Sequence, residues 1–332
     1  MKASLSNPAD YSASVPECSA QPEWFTVPFE YAGLRLDQAL ARLLPQHSRS
    51  RLQGWLRDGR IVIEGICRAD AKHKIWGGEK IRVEPAPDSQ GEPDAAEDIA
   101  LDILYEDGDI LVINKPAGLV VHPGTGNRQG TMLNALLHHA PRLAEIPRAG
   151  IVHRLDKETS GLLVVASSLE AQTDLVRQLQ SRTVKRHYLA LVHGVVERDG
   201  TVDAPIGRHP TQRVKMTVVA ADRHGRGKEA RTHYLVRERF AQSSLLECRL
   251  ETGRTHQIRV HMAAIKHPLV GDTVYGKRGV SSVEPSLKTF PRQALHAWRL
   301  ALLHPRSQLE LSWEAPLPDD FATLLGALRE PS

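Results

Sequence analysis

The sequence is poor in cysteine and carries no long apolar run. Its 332 residues include three cysteines, Cys18, Cys67 and Cys248, far apart and without paired spacing. That pattern excludes a disulfide framework or a cysteine-rich zinc site. Cys248 alternates with Leu246 and Leu250 in LLECRLET and reads as a small core residue on a strand. No apolar stretch approaches the roughly 18 to 20 residues of a membrane span, so no membrane partner is expected. The opening segment MKASLSNPADYSASVPECSAQPEWF lacks the basic-then-apolar layout of a signal peptide and reads as the polar tail of a cytoplasmic protein. Histidine is plentiful, at 16, but scattered. His256 and His261 are five apart, whereas a helical zinc pair sits at i and i+4, so no metal is expected. A dinucleotide fingerprint is missing as well. Gly124, Gly126 and Gly130 in GTGNRQG give G-x-G-x-x-x-G, and the segment does not emerge directly from a strand. It reads as a mobile loop, and no cofactor is expected.

What is present is charge, and it is segregated. Residues 31–84 hold eleven Lys/Arg against six Asp/Glu; residues 85–110 hold nine acids and no base; residues 111–332 hold thirty-one bases and twenty acids. Two basic bodies joined by an acidic strip point to a polyanion partner, RNA or DNA, although ordinary solvated surface accounts for charge alone.

The first basic body is short. Leu36, Ala39, Leu40 and Leu43 recur at helical spacing, Pro45 stops that helix, and Ser48 is placed to cap a second one bearing Leu52, Trp55 and Leu56. Gly59 ends the second helix, and RIVIEG and EKIRVEP read as strands. Arg49, Arg51, Arg57 and Arg60 crowd this second helix, a density that favours phosphate contact. The motifs RLDQALARLLP, SRSRLQGWLRDGRIVIEG and GGEKIRV resemble the alpha-L RNA-binding module, the type named after small-subunit ribosomal protein S-four. That resemblance implies recognition of structured RNA. The expected organisation is a tail over residues 1–25, this α+β module over 26–85, a Pro-, Gly- and acid-rich linker over 86–98, and a second domain over 99–325.

In the second domain, DILYED and DILVINKP read as strands around a tight Glu-Asp-Gly-Asp turn; TMLNALLHHA and LEAQTDLVRQLQS are helical; HYLALVHGVV, EARTHYLVRERF and SSLLECRLET are strand-like. The mixture predicts an α+β domain around a mixed, largely antiparallel sheet. In GIVHRLDKETSGLLVVA, Arg154 and Asp156 flank Leu155, so in extended chain both polar side chains point one way. Thr159, Ser160 and Gly161 are expected to turn the chain into the apolar strand LLVVA. A carboxylate at the mouth of a buried strand needs a cation or hydrogen-bond donors. Arg259 offers one: it lies beside the stripe Ile258 and Met262, on a helix that Thr255 is placed to cap, and a buried arginine demands a carboxylate. Tyr188 follows Lys185, Arg186 and His187 and suits stacking on a nucleobase whose phosphate is held nearby. Taken one at a time, each feature also fits a structural role: a loop-tying pair, a buried ion pair, a tyrosine at a sheet rim.

Together, ILYEDGDILVINKPAGLVVHPG, HRLDKETSGLLVVA, RHYLALVHG and LETGRTHQIRVHMAAIKHPLVGDTVYG resemble the RluA family of RNA pseudouridine synthases over residues 99–320. VVHPGTGNRQGTMLNALLHHAP, PRAGIVHRLDKETSG and the amino-terminal module resemble its RluD type. The resemblance implies an isomerase that converts uridine to pseudouridine in 23S (large-subunit) ribosomal RNA, in the helix 69 stem-loop. It makes Asp156 the essential aspartate, Arg259 its ion-pair partner and Tyr188 the aromatic that meets the target base. Arg154 would fill the space left by the flipped nucleotide, with His153, Arg254 and His256 as further substrate-binding residues. The expected partner is ribosomal RNA or an assembling large subunit, and a monomer is expected. Alternatives are a sibling synthase acting on other uridines of ribosomal or transfer RNA, and a non-catalytic RNA-binding assembly factor.

Overall fold

A computed structural model describes residues 22–45, 47, 49–67, 70–85, 95–124, 127, 129–212, 215–219, 227–276 and 285–330, without the side chains of 49–51 and 66–67. The chain divides into two units between residues 93 and 94. In the first, β1 (Glu23–Thr26), β2 (Ile61–Ile63), β3 (Ile66–Cys67) and β4 (Lys80–Val83) form an antiparallel sheet in the order β1-β4-β2-β3. Against it pack α1 (Leu36–Leu43) and α2 (Arg49–Arg57). Of the predicted stripes, Leu36, Ala39, Leu40 and Leu52, Trp55, Leu56 are buried there, and Leu43 is partly buried against them. β1 takes in residues 23–25, which the sequence reading leaves in the tail: backbone pairing to β4 (Phe25 with Ile81, for example) outweighs the polar surroundings. Arg57 is exposed and Arg60 partly buried, while Ser48 and the side chains of Arg49 and Arg51 lie outside the described residues.

In the second unit the chain forms β5 (Ile103–Glu106), β6 (Ile110–Lys115), α3 (Met132–His139), β7 (Ser160–Ala166), α4 (Leu169–Gln180) and β8 (Lys185–His193). β9 (Gly200–Asp203), β10 (Ile206–Arg208), β11 (Met216–Val218), β12 (Arg231–Arg239), β13 (Ser243–Leu250) and α5 (Gln257–Ala264) follow. The last elements are α6 (Pro285–Thr289), β14 (Leu295–Leu303), β15 (Glu310–Glu314) and α7 (Asp319–Arg329). Nine strands make one sheet in the order β5-β6-β7-β14-β8-β13-β12-β9, with β15 on β14; β10 and β11 form a separate hairpin. Every named pairing is antiparallel except β7 with β14, as an α+β fold with a largely antiparallel sheet requires. The segment around Ala95 and Glu97, assigned to the linker by composition, instead belongs to this unit: Asn134 Nδ2 donates to Ala95 O at 2.8 Å, and Glu97 N donates to Asn134 O at 3.1 Å.

The strand period of two sorts the core. Leu163 and Val165 of β7, Tyr188 and Ala190 of β8, and Leu246 and Cys248 of β13 pack with Leu136 of α3 and Ile258 and Met262 of α5 on one face. The alternate residues Leu162 and Val164 meet Ala171 and Leu175 of α4, and Leu191 and Leu245 meet Leu287 of α6 and Phe321 of α7, on the other. All seven residues of β7 are buried. Ser160 and Gly161 lie inside this strand rather than in the expected turn, because they pair with His296 and Ala297 of β14. Gly161 has φ +108°, and a Cβ there would sit 2.2 Å from Ala297 O, so only glycine admits this approach. The turn falls instead at Lys157–Glu158, with Thr159 N donating to Asp156 O at 3.0 Å. Among the described residues no helix is long and apolar enough to cross a membrane.

Candidate active site

Asp156 stands just before β7, between buried Leu155 and the turn, with its side chain 18% exposed. It lines a cavity of about 1020 Å³ that also receives Arg154, His153, Tyr188, Arg254, His256 and Arg259. All seven residues singled out from the second domain therefore meet at one place. The turn beneath Asp156 is held from below by Lys115, whose fully buried Nζ donates to the carbonyls of Pro116 (2.7 Å), Leu119 (2.9 Å) and Lys157 (3.0 Å). Burial, only partly opposed by the charges of Glu158 and Asp156, pulls its pKa down to about 8.

Arg259 is buried in α5 and uses three nitrogens on two carboxylates. Nη1 donates to Asp156 Oδ2 at 3.0 Å, while Nε and Nη2 fork onto Asp272 at 2.7 and 3.0 Å. Burial works against its charge, but Asp272 and then Asp156 outweigh it and raise the guanidinium pKa. Asp272 escapes the sequence reading, since a lone aspartate in HPLVGDTVYG carries no pattern of its own. It does not face the cavity: fully buried, it also accepts from Val274 N and Tyr275 N at 2.9 and 3.0 Å, which clamps Arg259 in one orientation. Its pKa lies below the ordinary range because these bonds overcome the cost of burial.

His256 completes the surround. It precedes α5 in the left-handed region, φ 57°, and no side chain caps this helix, so the expected cap by Thr255 is absent. The sharp entry aims the ring instead. Nδ1 lies 2.8 Å from the Tyr275 hydroxyl, which itself accepts from Met216 N at 2.8 Å. A hydroxyl that accepts from an amide is free to donate to the ring; in the tautomer that accepts it, the imidazole proton sits on Nε2, 3.8 Å from Asp156 Oδ1. Burial lowers the His256 pKa against the pull of Asp156.

Tyr188 is buried on the core face of β8, not at a rim. Of the three basic residues before it, only Arg186 shares its face; His187 lies 3.0 Å from Glu247 across the sheet, and Lys185 is exposed. Burial raises the Tyr188 pKa, Arg186 opposing and Asp156 reinforcing, so its phenol is neutral at pH 7. The remaining residues are less committed to the cavity. His153 lines it, but its Nε2 accepts from Val164 N at 3.1 Å, and burial followed by the charge of Arg186 takes its pKa to about 3. Arg254 donates from Nε to Glu229 O at 2.9 Å, and Arg154 is exposed. Arg186, named from sequence only as one of the bases before Tyr188, also lines the cavity, as do Arg148, Arg182 and His122, which the sequence reading does not name. Thr125, Gly126 and Arg128 of the glycine-rich segment lie outside the described residues.

Among the described residues, one group of metal-ligand type lies elsewhere, Asp107, Asp109 and His304. Its atoms are already engaged: Asp107 accepts from Tyr105, His304 and two backbone amides, and Asp109 holds the Arg306 guanidinium at 2.8 Å. These bonds tie the β5–β6 turn to the turn after β14.

Comparison with known proteins adds names to this geometry. The family model for RNA pseudouridylate synthase matches residues 109–264, and the S4 domain model matches residues 34–81. The chain is 60% identical over 305 residues to the ribosomal large subunit pseudouridine synthase D of Nitrosomonas europaea, covering 92% of this chain and 87% of that protein. It is 54% identical over 310 residues to the protein of that name from Pseudomonas aeruginosa, covering 92% and 95%. Among solved structures, human RNA pseudouridylate synthase domain containing 4 matches with a TM-score of 0.53 at 29% identity, over 68% of this chain and 92% of that one. Human RNA pseudouridylate synthase domain containing 1 gives 0.51 at 28%, over 71% and 97%.

Proposed function

This chain belongs to the RNA pseudouridylate synthase family, and we propose that it isomerises uridines in the helix 69 stem-loop of 23S (large-subunit) ribosomal RNA with Asp156 as the essential carboxylate. The observation that carries the residue assignment is the Arg259 clamp: a carboxylate at the edge of a large basic cavity, held at 3.0 Å by a guanidinium that is itself locked to a second, buried carboxylate. Support for a ribosomal substrate comes from relatives named ribosomal large subunit pseudouridine synthase D, which align with nearly the whole chain. Support for helix 69 comes from the RluD-type motifs, and the S4 domain supplies a means of holding structured RNA. In this reading the protein works in the cytoplasm, as a monomer, on free ribosomal RNA or an assembling subunit.

The chemistry is redox-neutral and conserves every atom. The bond from N1 to ribose C1′ breaks, the uracil turns, C5 bonds to C1′, and the C5 proton leaves as N1 gains one. The uridine must leave its stack to enter the cavity, with Arg154 at the exposed rim taking up the space it vacates. Asp156 supplies the basic or nucleophilic oxygen, either by attack at C1′ or by removing a ribose proton to give a glycal. Tyr188 stacks on the detached base, and its neutral hydroxyl stands ready to relay the C5 proton. His256, Arg254 and His153 border the bound nucleotide.

The deciding experiment maps pseudouridine in ribosomal RNA from cells with the gene deleted, restored, or restored as Asp156→Asn. Loss of the helix 69 modifications on deletion, and rescue by the parent but not by the Asn variant, is the expected result. An unchanged map on deletion overturns the substrate assignment. Measurable turnover by the purified Asn variant overturns the role of Asp156.

A further inference from the structure

Three arginines are buried among the described residues: Arg186, Arg259 and Arg292, at 7, 5 and 6% exposure. Two of them are neutralised. Arg259 forks onto Asp272, and Arg292 forks onto Asp320 at 2.6 and 2.8 Å. Arg186 is different. Its Nε is buried without a hydrogen-bond partner, and the ionisable groups that bear on it are the Tyr188 phenol, neutral at pH 7, and a second cation, Arg254, with no carboxylate among them. Burial and then Arg254 press its pKa below the ordinary value.

The surroundings are arranged around this guanidinium. Arg186 shares a strand face with Tyr188 and lines the same cavity as Asp156. A Cβ at Gly253 would come within 2.5 Å of Arg186 Nη1, so the missing side chain of Gly253 is what leaves the guanidinium its room. Neighbouring Arg182 already holds Glu229 at 2.6 Å, which leaves Arg186 as the buried cation open to an incoming anion. A desolvated guanidinium without a counter-charge is costly, and its planar fork matches the oxygens of a phosphate.

On the reading that uridine-containing RNA fills this cavity, we propose that Arg186 binds a phosphodiester oxygen of the linkage flanking the uridine that enters it. One strand face then grips both parts of a nucleotide, the base at Tyr188 and the backbone at Arg186. The RNA completes an ion pair that the free protein lacks.

The test uses the full chain and the helix 69 stem-loop, unmodified or with one neutral methylphosphonate placed 5′ or 3′ of the target uridine. Binding is measured across a salt series for the parent, Arg186→Met and Arg186→Lys. Neutralising one of the two linkages should weaken the parent by about 10- to 100-fold. Arg186→Met should bind unmodified RNA that much more weakly and be indifferent to the modification. Its log–log salt slope should be shallower by about 0.7 to 0.9, and Arg186→Lys should recover part of both losses. Without RNA, the Met variant should melt no lower than the parent, since it sheds an uncompensated buried charge. The proposal is overturned if Arg186→Met stays as sensitive as the parent to both methylphosphonates, or if it melts well below the parent in the absence of RNA. If the parent binds but does not isomerise the stem-loop, the functional reading fails alone, because coupling between Arg186 and the linkage is read by binding.

Discussion

Arg259 answers for two carboxylates, so its removal costs more than the loss of one ion pair. Arg259→Met keeps much of the apolar stem that packs beside Ile258 and Met262, yet strands Asp272 in the core and leaves Asp156 without its clamp. A drop in unfolding free energy of about 3 to 5 kcal/mol is expected for such a broken buried pair. Tritium release from C5-labelled RNA should collapse alongside it. Arg259→Lys should also fail, because a single ammonium lacks the three directed nitrogens that reach both partners. Urea unfolding and tritium release measure the two effects; a Met variant as stable and active as the parent would refute the clamp. Part of this arrangement is legible in sequence. Arg259 beside an apolar stripe demands an acid, and Asp156 before a buried strand demands a base. Asp272 is not legible, because nothing near it in sequence distinguishes a clamp from a loop aspartate.

At the scale of elements, Asp156 is positioned by what surrounds the start of β7. The strand is buried throughout, and Gly161 lets β14 approach it. Local propensity predicts a turn at residues 159–161, because Thr, Ser and Gly are turn formers. Pairing of residues 160 and 161 with β14, across 136 positions of sequence, overrides that propensity. The turn at Lys157–Glu158 depends on Lys115, and this gives a pH signature. Its pKa is about 8 in the fold against 10.5 in the unfolded chain. Below pH 8 both states are protonated, and the full penalty of burying the ammonium is present. Between pH 8 and 10.5 unfolding takes up a proton, so stability rises with pH, by roughly 3 kcal/mol over the window. In Lys115→Met the carbonyls of Pro116, Leu119 and Lys157 lose their donor and this contribution to the slope disappears. Denaturation of both proteins at pH 7, 8, 9 and 10 should show the Met variant less stable throughout, with the gap widening upward. A gap that stays constant or narrows with pH would show that Lys115 is not held as a depressed, buried amine.

At the scale of the whole molecule, the two units have separate cores: Leu36, Leu40, Leu52 and Ile81 belong to one, and buried residues from Ile110 onward to the others. Every residue lining the cavity lies beyond position 120. Removal of residues 1–90 should therefore leave a folded enzyme that still isomerises at saturating RNA. Affinity and selectivity for the ribosomal target should fall, and the salt dependence should become shallower as fewer counterions are released. Full-length and truncated protein, compared on the helix 69 stem-loop and on unrelated uridine-containing RNA across a salt series, measure this. Equal affinity, selectivity and slope would remove the S4 unit from RNA binding, and a folded truncation inert at saturation would mean that both units build the site.

Local pattern along the chain specifies the two helical stripes of the first unit, the apolar run of β7, the in–out alternation that buries Leu155 between Arg154 and Asp156, and the long ordered motifs of the family. Tertiary structure decided what depends on residues distant along the chain. Which carboxylates Arg259 would serve, that Arg186 rather than Lys185 or His187 would share the face of Tyr188, and that His256 would take a left-handed turn toward Asp156 all follow from strand pairing and helix entry. His153 shows the difference most plainly. In sequence it stands beside Arg154 as one more polar residue of the site, but in the fold its Nε2 accepts from Val164 N. A buried backbone amide must find an acceptor, and sequence spacing does not say which side chain will provide it.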